Sequence, residues 1–224
     1  MLTSLFPHVA QNPEAFLKAV TQTFQMFFIA TPFWFVLGVF FGLLLSITRK
    51  GGLCENPLVF EPIDKLVNLC RSIPFVIMIA LLFPLTRLIA GTAIGVDGAI
   101  FPLIVGITPF FSRQVESVFN ALRPTLIESA QAMGFGRIAI IWRVFLRESI
   151  SKLARVTTIT CISFNSEIAV IGAIGAGGLG DYAIRYGFER NQLDVTIAAV
   201  LALLVFITII QTIGTFIGRI NNHE

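Results

Sequence analysis

Charged side chains are scarce in this sequence. Asp, Glu, Lys and Arg account for 13% of the 224 residues, whereas 55% are hydrophobic and 22 are Phe. Soluble globular proteins carry about 25% charged residues, so the composition argues against a water-soluble domain. The formal net charge of +3 is also too small to indicate a nucleic-acid-binding surface. We expect one all-α integral membrane domain over residues 1–224, built from apolar helices of about 20 residues each.

Residues that form disulfides or bind metals are equally few. The three cysteines, Cys54, Cys70 and Cys161, are scattered without CxxC spacing, and the two histidines, His8 and His223, lie near opposite ends of the chain. This spacing supports neither a disulfide framework nor a zinc site. We therefore expect no bound metal.

Three familiar sequence signatures are absent or misleading. No GxxxxGK[ST] phosphate loop occurs, so any ATP chemistry must belong to another polypeptide. The first 17 residues contain no Lys or Arg and lack the basic-then-apolar order of a secretory signal, so we expect them to remain in the mature protein. A GxGxxG match at 175–180 closes an apolar segment and has no flanking strand, which argues for close helix packing and against a dinucleotide fold.

Long runs without charge define the membrane spans. The run 19–48 has 30 residues and the run 195–218 has 24, so each holds a complete transmembrane helix. Between them lie two charge-free runs of 15 residues, 72–86 and 98–112, and the run 156–180, which contains one carboxylate. We predict five spans in total.

The three middle spans are expected in the protein interior, and spans one and five at the periphery. A short or interrupted span crosses hydrocarbon only if its polar residues face protein or a water-filled cavity. Pro74 and Pro84 fall in the second span, and Pro102 and Pro109 in the third. Proline bends a helix, so bent spans point to a transport path, although proline is also commoner in membrane helices generally.

The distribution of basic residues predicts the orientation. With five spans, 12 of the 16 Lys and Arg residues fall on one side of the membrane, and only Lys18, Arg87, Arg185 and Arg190 on the other. Because cytoplasmic loops are enriched in Lys and Arg, we expect the N-terminus outside and the C-terminus in the cytoplasm. The long loop between spans three and four, residues 113–155, is then cytoplasmic.

This loop is amphipathic and is predicted to contain two short helices. Pro124 favours the start of the first helix, and Gly134 favours its end, before a sharp turn through 134–136. The second helix is expected to present one apolar face made of Ile138, Ile141, Trp142 and Phe145.

The tip of the loop carries apolar and small residues that would be exposed: Ala130, Ala132, Met133, Gly134 and Phe135. An exposed apolar tip usually marks a docking surface. The alternative is a plain solvated loop. A DNA-binding helix-turn-helix is disfavoured because the loop is tethered between two membrane spans.

The residues around the tip resemble the EAA loop of bacterial ATP-binding-cassette (ABC) importer permeases. That pattern is roughly EAA, three residues, Gly, nine residues and I-x-L-P. This sequence matches it at Glu128, Ala130, Gly134 and Leu146. It departs from the pattern at Arg147, where the family usually has Pro.

Two further segments, RSIPF at 71–75 and GAIGAGGLG at 172–180, are similar to methionine-importer permeases. The resemblance implies a type I importer fold in the bacterial inner membrane, with alternating access and no enzyme activity or cofactor in this chain. It also implies a homodimer that docks on two ATPase subunits, which bind ATP and magnesium, and that is served by an external substrate-binding protein. The ATPase contacts would come from Glu128, Ala130, Met133, Gly134 and Phe135.

A single carboxylate, Glu167, interrupts span four. A carboxylate near the middle of a bilayer costs about 2.5 to 3.5 kcal/mol on insertion scales, so it needs compensation. Ser163, Asn165 and Ser166 place polar groups beside it. Glu167 is either hydrogen-bonded or ion-paired to a neighbouring span, or it faces a cavity and meets a positively charged group of the substrate. Together with Pro74 these residues form the predicted substrate pathway.

We therefore expect the permease subunit of an ABC importer for an amino acid, methionine or a related one. One alternative is an ABC permease for another polar or basic amino acid or an osmolyte. A second alternative is a stand-alone channel or secondary transporter, which would not need the exposed tip of the loop.

Overall fold

The computed structural model describes residues 6–220, and both chain termini, with His223, lie outside the described residues. Residues 6–220 are almost entirely helical and contain no strand, so the predicted all-α class is confirmed. The α-helices are α1 (Pro7–Gln11), α2 (Pro13–Thr48), α3 (Pro57–Ser72), α4 (Phe75–Ala90), α5 (Gly95–Asn120), α6 (Pro124–Ala132), α7 (Arg137–Ile140), α8 (Ile150–Ile171), α9 (Gly178–Asp181) and α10 (Leu193–Ile220). Wider π-helical turns occupy Ile141–Leu146, Gly172–Ala176 and Tyr182–Phe188.

Four helices among the described residues are long and apolar enough to cross a membrane: α2, α5, α8 with the turn that follows it, and α10. The remaining predicted span is broken, because α3 and α4 meet at a bend of 112°. Pro74 lies at this break, where its ψ of 136° is incompatible with a helix. The structure thus has four spans, or five if the bent pair counts as one, and proline marks the interruption.

Burial distinguishes the inner spans from the outer ones. In the most apolar window of α5 and of α8, 50% and 44% of the residues are buried, against 28% in α2 and 22% in α10. This confirms an interior position for spans three and four and a peripheral one for spans one and five. Span two does not share this burial within the single chain, because only Met78 and Thr86 of α4 are buried. The apolar residues of α4 surround the helix, so a charge-free run could not show which side was covered.

The chain forms two compact units, each assembled from separated segments. The first contains the residues up to Phe33 together with Ile73–Gly106 and Cys161–Ile210. Aromatic rings fill much of its interior: the Phe27 and Phe206 ring centroids lie 4.9 Å apart in an edge-to-face contact. A second cluster buries Ala19, Leu179, Tyr182, Val195 and Ala199.

Side chains of α2 stabilise the break that follows α8 in this unit. The backbone N–H of Gly178 donates to Oε1 of Gln22 at 2.9 Å, and that of Leu179 donates to Oγ1 of Thr23 at 2.8 Å. A helix interruption in hydrocarbon is tolerated only when the freed backbone groups find partners. Gln22 and Thr23 supply those partners, so the glycine-rich break is a built feature of the fold.

Hydrogen bonds between His8 and Asp194 tie the N-terminal helix of the same unit to α10. The backbone N–H of His8 donates to Oδ2 of Asp194 at 3.0 Å, while the His8 Nδ1 lies 2.9 Å from Asp194 Oδ1. Asp194 lies in the first turn of α10, where a negative charge interacts favourably with the helix dipole. The carboxylate therefore stabilises both the start of α10 and the position of α1.

The second unit contains Trp34–Ser72, Ile107–Thr160 and the residues from Gln211 onward. Trp34 and Phe111 are fully buried in it, with an edge-to-face contact at 4.9 Å between ring centroids. Arg113, which was predicted to begin the cytoplasmic loop, instead lies inside α5 and bonds to Asp64 of α3 and to Glu116. The charged ends of the predicted loop continue the long helices, so the connection between α5 and α8 comprises residues 121–149. A charged residue shows where the hydrocarbon region ends, but the helix itself can continue past it into water.

Close packing of α2 against α5 in this unit depends on Gly42. A Cβ atom at position 42 would lie 2.6 Å from the Ser112 carbonyl oxygen and 2.6 Å from Val115 Cβ. We expect Gly42→Val to destabilise the protein by about 1–3 kcal/mol through overpacking, seen as a lower melting temperature in detergent. Gly218→Val is the matched control, because no atom lies within 4 Å of a Cβ at that position. Equal melting temperatures for the two variants would contradict this packing role.

Candidate functional site

The loop after α5 folds as the sequence predicted at its first helix. Helix α6 has Pro124 in its first turn and ends at Ala132, and Gly134 follows with a φ of +79°. The N–H of Gly134 donates to the Gln131 carbonyl at 2.9 Å, and the N–H of Phe135 donates to the Ala130 carbonyl at 3.1 Å. Because side chains with a Cβ atom are strained at this φ, glycine is the residue suited to this turn.

The second half of the loop differs from the prediction. Ile138 and Trp142 are 74% and 67% exposed, whereas Ile140 and Phe145 are buried at 1% and 3%. The expected apolar face assumed regular α-helical spacing, but residues 141–146 form a π-helical turn. Its wider turns bring residues five apart to one side, so Ile140 and Phe145 share the covered face.

The tip residues fall into exposed and buried classes. Met133 is 68% exposed and Phe135 is 36% exposed, and Glu128 and Gly134 are exposed as well. The expected exposure of Ala130 is wrong, since this residue is 2% exposed. Helix α6, which contains Ala130, packs against the segment 137–146, so one side of the helix is covered. The surface available to a partner is therefore Glu128, Met133 and Phe135. It gains Ile138 and Trp142, two residues of the expected apolar face that are exposed instead of covered.

Arg143 helps to fix the tip. Its guanidinium carbon lies 5.4 Å from the centroid of the Phe135 ring, a cation–π contact. The contact joins the residue after the glycine turn to the π-helical segment. Because Phe135 is held by its ring, the exposed part of the tip has a defined geometry.

The predicted substrate-pathway residues all belong to the first compact unit, and Glu167 is the most informative of them. Its Oε2 atom is buried and has no hydrogen-bond partner among the described residues. The carboxylate faces Gly106 near the middle of α5: a Cβ at position 106 would lie 3.5 Å from Glu167 Oε2 and 2.7 Å from Phe75 Cε2. Gly106 therefore makes the space into which the carboxylate and the Phe75 ring project.

The other pathway residues lie at different places around this carboxylate. Ser163 is half-buried on α8, one helical turn before Glu167, and Asn165 is 3% exposed with an unpartnered buried Oδ1. Ser166 is exposed and does not share the buried side of the helix. Pro74 directly precedes Phe75, so the break between α3 and α4 positions the ring beside Glu167.

Sequence reasoning identified Glu167 but missed Gly106 and Phe75. A carboxylate in an apolar run is visible from composition alone. The residues that face Glu167 belong to α4 and α5. Only the packing of these helices against α8 shows which of their residues come close to the carboxylate. In the described part of the chain, no group of three or more His, Cys, Asp or Glu residues could hold a metal ion.

Comparisons with known proteins agree with this geometry. The family described as binding-protein-dependent transport system inner membrane component matches residues 38–222. The methionine import system permease protein MetP of Bacillus subtilis is 40% identical over 177 residues, which are 79% of this chain and 80% of that protein. The D-methionine transport system permease protein MetI of Escherichia coli is 38% identical over 156 residues, which are 70% and 72% of the two chains.

Solved structures show the same arrangement of helices. One structure of the MetNI methionine ABC transporter in inward-facing conformations is 36% identical, covers 95% of this chain and 99% of that chain, and has a TM-score of 0.91. A solved amino acid ABC transporter that is only 14% identical shares the fold over 96% of this chain, with a TM-score of 0.79. The chain belongs to the family of binding-protein-dependent transport system inner membrane components, and it is a multi-pass permease subunit of an ABC importer, not an enzyme.

Proposed function

We propose that this permease carries methionine or a closely related amino acid across the inner membrane by alternating access. The observation that carries the proposal is the likeness of nearly the whole chain to a methionine ABC transporter, with 36% identity and a TM-score of 0.91. The EAA-type loop adds the means of driving the process, because Met133 and Phe135 form an exposed apolar tip on a turn held by Gly134. Such a tip suits insertion into a groove of a partner.

The proposed assembly contains two copies of this chain, two ATPase subunits and an external substrate-binding protein. The phosphate loop that ATP and magnesium require is absent from this sequence, so both are assigned to the ATPase subunits. The ATPase contacts would come from Glu128, Met133 and Phe135, while Ala130 packs inside the loop and Gly134 shapes the turn. The domain proposed for this role is the whole chain, 1–224, with the connection 121–149 between α5 and α8 as its coupling loop.

The substrate pathway is proposed to pass Glu167, with Ser163 and Asn165 nearby on α8 and Pro74 at the break before Phe75. The lower limit of the cost of this carboxylate is about 2.5 kcal/mol, and its Oε2 receives no protein hydrogen bond among residues 6–220 that would offset the cost. A positively charged group in the pathway would do so. The ammonium of any α-amino acid meets this requirement.

Glu167 also favours one alternative substrate class. A basic amino acid has a second cationic group, and the carboxylate would bind that group more strongly than a thioether. Lysine and arginine are therefore the competing substrates, and the ATPase assay described below compares them with methionine.

The distribution of basic residues supports an orientation with the N-terminus outside and the loop in the cytoplasm. Single cysteines at Arg137 and Glu189 test it, because both positions are exposed, in a background with Cys54 and Cys70 replaced by Ser. An impermeant maleimide added to intact cells should label position 189 at once and position 137 only after the membrane is opened. Labelling of position 137 alone in intact cells would reverse the orientation.

Gly134→Val should uncouple transport from ATP hydrolysis while leaving the membrane spans folded. The substitution forces a β-branched residue into φ +79°, at a cost of about 1–2 kcal/mol, and distorts the tip. Gly136→Val is the matched control, because Gly136 has an ordinary extended φ of −67° and no atom within 4 Å of an added Cβ. Substrate uptake and ATPase activity of reconstituted complexes measure the effect. Normal uptake by the Gly134→Val complex would remove the coupling role.

Substrate-stimulated ATPase activity of the reconstituted complex with its binding protein, measured for methionine, lysine, arginine and glycine betaine, tests the proposed substrate. We expect the largest stimulation with methionine, and a larger one with lysine or arginine would establish the alternative. Glu167→Gln should lower uptake about tenfold, the equivalent of about 1.4 kcal/mol, with the amount of folded protein unchanged.

Glu61→Gln is the matched control for this variant, because the Glu61 side chain is 63% exposed. Undiminished uptake by Glu167→Gln would show that the charge is idle, and loss of the variant from the membrane would show that it is structural; either result overturns the proposed role in substrate recognition.

A further inference from the structure

The first compact unit contains a cavity that neither the coupling loop nor Glu167 uses. It has a volume of about 320 Å³ and lies where the start of α2, the turn before α5 and the glycine-rich segment 175–178 come together. Pockets for small organic ligands begin at about 300 Å³. The cavity is therefore large enough for one molecule of the size of an amino acid.

The lining provides more positive than negative charge. Lys18 lines the cavity from α2, is exposed, and forms no ion pair with any residue in the range 6–220. Arg185 is 57% exposed and uses one nitrogen to bond Asp181 at 2.9 Å. A guanidinium has five N–H donors, so further donors remain for a ligand. Two cations beside one carboxylate favour a ligand that carries a negative group.

Asp181 supplies the opposite sign in the same cavity. Its Oδ1 accepts from Arg185, its side chain is only 17% exposed, and its second oxygen is available as an acceptor. With Lys18 and Arg185 in the same lining, the cavity carries both signs of charge. This arrangement complements a zwitterion, in which a carboxylate and an ammonium share one carbon.

Another part of the lining is formed by glycines and by Gln22. A Cβ at Gly177, which has a φ of +85°, would lie 2.6 Å from Gln22 Oε1. Gln22 Oε1 is engaged by the Gly178 N–H, so its amide N–H₂ group remains as a neutral donor beside the cavity. Glycine at position 177 is needed to bring Gln22 and the break after α8 together. The neutral Gln22 donor, added to the two charged ones, further favours a carboxylate ligand.

We propose that this cavity is a low-affinity site for a free zwitterionic α-amino acid, with its carboxylate bound by Lys18 and Arg185 and its ammonium by Asp181. The site opens to the outer side of the membrane in the orientation proposed above, and the inference rests on that orientation and on amino-acid transport. It is separate from Glu167 and would hold substrate before the substrate enters the pathway. The side chain of the amino acid would lie against Tyr186 and Ile94, which also line the cavity.

Protection of a single cysteine measures binding directly. Ile94 is 69% exposed, so Ile94→Cys places a thiol at the cavity, in a chain with Cys54 and Cys70 replaced by Ser. The permease–ATPase complex in lipid nanodiscs, without nucleotide or binding protein, is treated with a small maleimide in the presence of increasing L-methionine. We expect L-methionine to slow labelling. Methionine methyl ester, which lacks the carboxylate, and N-acetylmethionine, which lacks the ammonium, should not.

Charge-removing variants identify the groups responsible. Lys18→Gln and Asp181→Asn should each raise the half-protecting concentration of L-methionine about tenfold, the loss expected for one charged contact. Lys50→Gln, a lysine of the second unit, should leave it unchanged. Lys18 is exposed, so its variant tests the site even if Asp181→Asn folds poorly.

The outcomes separate this inference from the proposed function. Equal protection by the methyl ester, no protection by L-methionine, or unchanged protection in Lys18→Gln would each overturn the site, whatever the uptake measurements show. Protection by L-methionine in a complex that does not transport it would support the site and overturn the proposed substrate instead.

Discussion

The structure depends on one constraint: backbone N–H and C=O groups in hydrocarbon need partners from the protein itself. Within a long helix these groups bond to one another. Where a helix is interrupted, the freed backbone groups need other partners. After α8 the N–H groups of Gly178 and Leu179 donate to the side chains of Gln22 and Thr23 of α2. These two polar side chains therefore satisfy the interrupted backbone, and the cavity described above lies at the same interruption.

Much of the fold could be predicted from the sequence because hydrocarbon imposes a simple code. Charge-free runs gave the spans, Pro74 marked a break, and Pro124 and Gly134 marked the limits of α6, since each of these signals acts through local geometry. Tertiary properties were less accessible. The exposure of α4, the burial of Ala130 and the π-helical turn at 141–146 depend on which helix covers which, and an apolar residue looks the same whether it faces protein or lipid.

The candidate site follows the same division. Glu128, Met133, Gly134 and Phe135 could be located because a spaced motif links them, and Glu167 because a carboxylate is conspicuous in an apolar run. Gly106 and Phe75 carry no such signal. Their place beside Glu167 is seen only when α4 and α5 pack against α8. Arg143 is similar, since its position over the Phe135 ring requires the turn to bring the two segments together.

The length of α2 has a consequence for the lipid around the protein. Its 36 residues span about 54 Å, whereas the hydrocarbon core of a bilayer is about 30 Å thick, and a tilt of about 40° would still leave over 40 Å along the normal. Such hydrophobic mismatch normally sorts helices among membranes of different thickness. Here the segment around Ala19, Gln22 and Thr23 is covered by the glycine-rich segment and its neighbours, so protein replaces lipid along that part of the helix. The hydrocarbon core therefore need not cover the whole length of α2, because protein contacts take over where the helix extends past it.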